Sequence, residues 1–179
     1  MRIISIDGDY YHGVVDTPNG RCRIQAASIG NGMADVHITS PDQTTTCIGR
    51  CSTDCSRFLN AVEKVVQQQY PQAAIDTSKV GYIIKTNECS DARYKLEIDY
   101  QNNTATLTPL FLSEVQVSCP YNNRFVCDLF THLHAQLLPR LKQEYDKLKV
   151  INPHPSNAEQ HQALVNKLAT ILSSNGETI

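Results

Sequence analysis

The chain of 179 residues has no tryptophan, and none of its apolar runs approaches the ~20 residues needed to span a bilayer. The short runs exclude a membrane-crossing helix. Positive charge is not in excess either. Sixteen Lys and Arg stand against eighteen Asp and Glu, for a formal charge of −2. The cations are scattered, so nothing is built to neutralise a phosphate backbone, and nucleic acid is not an expected partner. Missing too are a Gly-rich phosphate loop and a Gly-x-Ser-x-Gly elbow, which removes the P-loop enzymes and the α/β-hydrolases that depend on them. No repeat or low-complexity tract is present, which argues against solenoids. The polar, Gln- and Thr-rich remainder suits a secreted bacterial effector as well as a housekeeping protein.

The opening Met1-Arg2-Ile3-Ile4-Ser5-Ile6-Asp7 reaches a charge too soon for a signal-peptide core. The seven cysteines are therefore expected as thiols, in the cytoplasm or another reducing compartment. Export by a route without a cleavable signal stays compatible with this. At this length a single domain over 1–179 can bury roughly 70% of the surface exposed by its unfolded chain.

The strongest signal is a change of hydrophobic period. Up to Val117 the apolar residues mostly alternate, with one helical interruption, and from Asn122 they recur every three or four residues. Turn chemistry punctuates the first part at Thr17-Pro18-Asn19-Gly20, Asn31-Gly32 and Asn102-Asn103. Asp7-Gly8-Asp9 reads as a further turn. Residues 76–79 read as loop, and residues 110–117 as a last strand. The expected architecture is α+β. It has a mostly antiparallel sheet or sandwich of about seven strands, one helix inserted at about 53–70, and a C-terminal helical pair. Residues 1–120 form the sheet with its inserted helix, and residues 121–179 the helical segment. Pro139 predicts a kink, or two helices meeting near Leu138. Ser156 with Glu159 predicts a capping box for the last helix.

Chemistry-bearing residues are few. Cys47, Cys51 and Cys55 are four apart, the spacing that stacks side chains on one helix face, but Cys47 falls in an expected strand. A zinc site of this kind needs a second pair elsewhere, which the sequence does not place beside them, so no metal and no cofactor is expected. Cys51 and Cys55 also sit where a helix begins, and free amides there lower a thiol pKa. Either is a candidate nucleophile, with His12 or His37 as its base. Asp128 and His132 have facing helical spacing, whereas His132 and His134 point in different directions. Tyr82, Tyr94 and Tyr100 form an aromatic stripe read as core.

Ile4-Ser5-Ile6-Asp7-Gly8 resembles the start of patatin-like lipases and of the actin-like ATPase fold. Without the elbow or phosphate loop, neither activity carries over. The order of strands, helix, strands and long helix resembles the head-plus-stalk scaffolds of DNA end joining and centriole assembly. Pro139 and the short final helix depart from a continuous stalk. The first C-terminal helix has apolar residues wide of one stripe: Phe125, Phe130, Leu133, Leu137, Leu138, Leu141 and Tyr145. Such surplus often packs on another chain. The expected function is a non-catalytic protein-interaction, scaffold or adaptor module that binds a protein partner and self-associates through its C-terminal helices. The alternative is a small cysteine-dependent hydrolase or transferase using Cys51 or Cys55.

Overall fold

A computed structural model describes residues 1–53, 58–73 and 75–179. Its strands are β1 (Ile3–Thr17), β2 (Gly20–Gly30), β3 (Met33–Thr39), β4 (Thr45–Ser52), β5 (Ile75–Thr86), β6 (Arg93–Asp99), β7 (Thr104–Pro109) and β8 (Val117–Pro120). Helix α1 (Phe58–Gln69) lies between β4 and β5, and α2 (Val126–Val150) and α3 (Ala158–Ser174) close the chain. The eight strands of the described residues form one sheet in the order β4-β3-β2-β1-β5-β6-β7-β8, every pair antiparallel. Each half is a four-strand meander followed by a helix, and the halves meet where β1 pairs with β5. The α+β expectation holds, with eight strands in one sheet.

Alternation sets the two faces. Ile24, Ala26, Val36, Tyr82, Ile84, Tyr94, Leu96 and Leu107 point to one side and are buried. The helices cover that side: Phe58 of α1 meets Tyr82 edge-on at 5.9 Å, and Phe130 of α2 meets Tyr94 at 5.5 Å. Each aliphatic side chain fully removed from water there contributes about 1.5–3 kcal/mol. The opposite face is half-exposed and polar, laced by Lys79–Glu97 at 3.1 Å and by Thr106 with Ser118 at 2.9 Å. An antiparallel sheet tolerates one wet face in this way.

The turns are as read from sequence at Asn31-Gly32, where both residues have positive φ (55° and 69°) and form the tight hairpin between β2 and β3. Asp7-Gly8 is not a turn. Both residues lie inside β1, where the register slips between Gly8 and Tyr10. Glycine is required because a Cβ at position 8 would lie 2.7 Å from the Phe58 ring, so α1 can approach only a bare backbone. Residues 76–79 belong to β5, held by the ladder to β1 and joined by β6 at Lys79, a long-range support that local composition does not carry. Residues 110–116 are turns and irregular chain rather than strand, although Leu112 and Val115 are buried.

Helix α2 runs through Pro139 as one element. The carbonyl that proline leaves without a donor belongs to Ala135, an exposed residue whose backbone can be hydrated instead. Ser156 does not cap α3. It lies in a short 3-10 turn (Pro155–Asn157), where its amide donates to the His154 side chain, and Asn157 occupies the cap position. Among the described residues, no helix is long and apolar enough to cross a membrane.

Candidate functional site

The uncovered face carries the first candidate. Register places His12 of β1 opposite Gln25 of β2, Gln25 opposite His37 of β3, and His37 opposite Cys47 of β4. Neighbouring strands lie about 4.8 Å apart, so His12 and Cys47 are separated by three such steps and only His37 adjoins the thiol. Burial and the nearby Arg23 hold the His12 pKa below its usual value.

Cys47 reaches this face through a β-bulge. Val36 pairs with Gly49 and the next residue, His37, pairs with Cys47, so Ile48 is the extra residue on β4. One added residue reverses the parity of everything before it. Cys51, paired with Ala34, therefore points into the core, while Cys47 is exposed on the opposite face. A second constraint fixes the strand beside the bulge: a Cβ at Gly49 would lie 2.7 Å from Val65 of α1.

This corrects the expected nucleophile pairings. Cys51 is buried on the helix side, away from His12 and His37. Cys55 lies outside the described residues. The sequence pairs neither histidine with Cys47, because a regular period of two sends Cys47 and Cys51 to the same face. The structure joins Cys47 with His37 and with Asp35, two residues along β3, and one ligand atom from each lies within 4.8 Å of the others. Arg50 Nε donates to Asp35 Oδ1 at 2.8 Å, and this hydrogen bond keeps the carboxyl below its ordinary pKa.

The second candidate is a groove on the helix side. Tyr82 and Ile98 of the sheet form its floor, Leu59 and Asn60 of α1 one wall, and Arg124, Phe125 and Val126 the other. Its volume is about 280 Å³. Tyr100 and Tyr121 stand at one end with rings perpendicular at 5.5 Å. Burial, with the Tyr121 phenol alongside, pushes the Tyr100 hydroxyl pKa upward. Phe125 is 45% exposed at the rim.

The interaction residues read from the helical period have two fates. Phe130, Leu133, Leu137, Leu141 and Tyr145 are buried within this chain, Leu138 is half-buried against the core, and only Phe125 is exposed. The apolar residues exposed farther along are Val150, at 84%, and Ile151, at 52%.

A buried polar cluster joins the C-terminal helices to the sheet. Glu88, in the turn after β5, accepts from Tyr94 Oη at 2.8 Å and from Asn175 Nδ2 at 3.1 Å. His134 Nε2 lies 2.8 Å from Glu88 Oε1, a contact that becomes an ion pair when the imidazole is protonated. Burial raises the Glu88 pKa. The contacts from His134, Asn175 and Tyr94 outweigh that and hold the carboxyl below its usual value. The same burial, with Glu88 beside it, drives the Tyr94 phenol upward. The histidines at 132 and 134 separate as helical geometry requires, His132 exposed beside Gln136 and His134 inside.

No family model matches the chain, and no curated protein or solved structure is found to be similar to it.

Proposed function

We propose that this chain is a non-catalytic protein-interaction module whose groove between α1 and α2 receives apolar side chains of a protein partner, a second copy among them. The observation that carries the reading is the aromatic-floored groove of about 280 Å³ with the half-exposed Phe125 on its rim. Its lining mixes the apolar Leu59, Ile98 and Phe125 with the polar Asn60, Asn123 and Arg124, so that polar groups can orient a partner side chain whose apolar part rests on the floor.

Self-association is favoured by what lies at the other end of α2. The 25-residue helix is roughly 37 Å long. Phe125 and the groove lie at its start, and the exposed pair Val150 and Ile151 at its finish. Two copies with antiparallel α2 helices place each Val150-Ile151 pair at the other's groove, a reciprocal contact that closes with two-fold symmetry. The same arrangement brings Asp128 near the helix start opposite Lys147 and Lys149 near its end. Light scattering at two concentrations tests this. The apparent mass rises with concentration for the natural chain and stays at one copy for Ile151→Asp.

A further inference from the structure

We infer that Asp35, His37 and Cys47 form a binding site for a divalent cation of borderline softness, of the zinc type, with one coordination position left open. The inference concerns the uncovered face of the sheet and is independent of the groove. One oxygen, one nitrogen and one sulfur atom already lie within 4.8 Å of one another. A tetrahedral zinc ion with ligand bonds of 2.0–2.3 Å needs donors roughly 3.4–3.8 Å apart, so closure takes about 1 Å of side-chain rotation. Cys47 is exposed, and its described hydrogen bond is a weak one to the Gly49 carbonyl at 3.7 Å, so that rotation is cheap.

The donor set is selective. A thiolate with an imidazole and a carboxylate suits zinc and its neighbours, whereas magnesium and calcium prefer oxygen alone. The scaffold is stiff at two of the three positions, because Asp35 and His37 are alternate residues of β3, paired on both sides. Arg50 binds Oδ1 of Asp35 and fixes the carboxylate in the manner of an outer-sphere partner. The bulge at Ile48 supplies the third ligand, since without the inserted residue Cys47 would point into the core opposite Ile38. Three protein ligands leave the fourth position to water or to a group from another molecule.

The test is titration of the reduced, metal-free full chain with Co²⁺, which reports a bound thiolate through a sulfur-to-cobalt charge-transfer band. One equivalent is expected to produce the band, and Zn²⁺ to abolish it by displacement. Cys47→Ser should eliminate the band, and His37→Ala and Asp35→Asn should each weaken binding by at least tenfold. Cys89→Ser, away from the cluster, should change nothing. Circular dichroism of each variant verifies that it is folded. The inference is overturned if the natural chain gives no thiolate band, if the band survives Cys47→Ser, or if His37→Ala and Asp35→Asn leave the affinity unaltered.

Discussion

Replacing Glu88 by glutamine keeps the side chain's volume but removes the negative charge from the most buried polar cluster described in the fold. Tyr94 can still donate to the amide carbonyl. The amide nitrogen then faces the Asn175 amide, a donor against a donor, or, with the amide turned over, forces the Tyr94 hydroxyl to accept instead of donate, and in either case the 2.8 Å contact with His134 loses its anion. A hydrogen bond to a charged group is worth about 1.5–3 kcal/mol, against about 1 kcal/mol for a neutral one. Losing one such contact and weakening another costs about 2–4 kcal/mol, within the range seen when a buried pair is broken. For a chain of this size that lowers Tm by about 4–16 °C.

The pH dependence has a definite sign. The folded Glu88 carboxyl titrates below its ordinary value of 4.5. It therefore stabilises the fold above that value, and the contribution is lost as pH falls through the folded pKa. The stability gap between the natural chain and Glu88→Gln, measured by urea denaturation, should narrow as the solution is acidified through the carboxylate range. A loss under about 1 kcal/mol, or a gap that widens in acid, refutes the assigned role of the cluster.

Gly8→Ala pushes a methyl group into the Phe58 ring and should cost about 1–3 kcal/mol by chemical denaturation, because ring and backbone must separate. Pro139→Ala restores a helix donor at an exposed position and should raise stability by about 1–3 kcal/mol in the same assay. Iodoacetamide under native conditions should label the exposed Cys47 well ahead of the buried Cys22 and Cys51, as read by mass spectrometry.

Where the sequence was informative, the signal was local. The alternation of Tyr94, Leu96 and Ile98 against Lys95 and Glu97 located β6, and Asn31-Gly32 located its hairpin, because each is written in adjacent residues. The failures have long-range causes. Gly8 sits in a strand because Phe58, fifty residues later, packs on it, and residues 76–79 extend β5 because the distant strand β1 pairs along them. The candidate sites were less legible. The juxtaposition of Cys47 and His37 depends on a single bulge residue, Ile48, and a one-residue parity change leaves no compositional trace. The apolar surplus of α2 was visible, but the amount buried by the sheet and α3 was not. That burial removes Phe130, Leu133, Leu137 and Leu141 from any outer surface and leaves Phe125 at the groove.

The reciprocal groove contact is tested most directly by sedimentation equilibrium on Phe125→Asp, on Ile151→Asp and on their equimolar mixture. One variant spoils the groove rim and the other the apolar pair. Each alone should be monomeric, while the mixture regains dimers because one groove and one Val150-Ile151 pair remain intact across the mixed interface. A natural chain that stays monomeric at every concentration, variants that still dimerise alone, or a mixture that forms no dimer would contradict the proposed interaction.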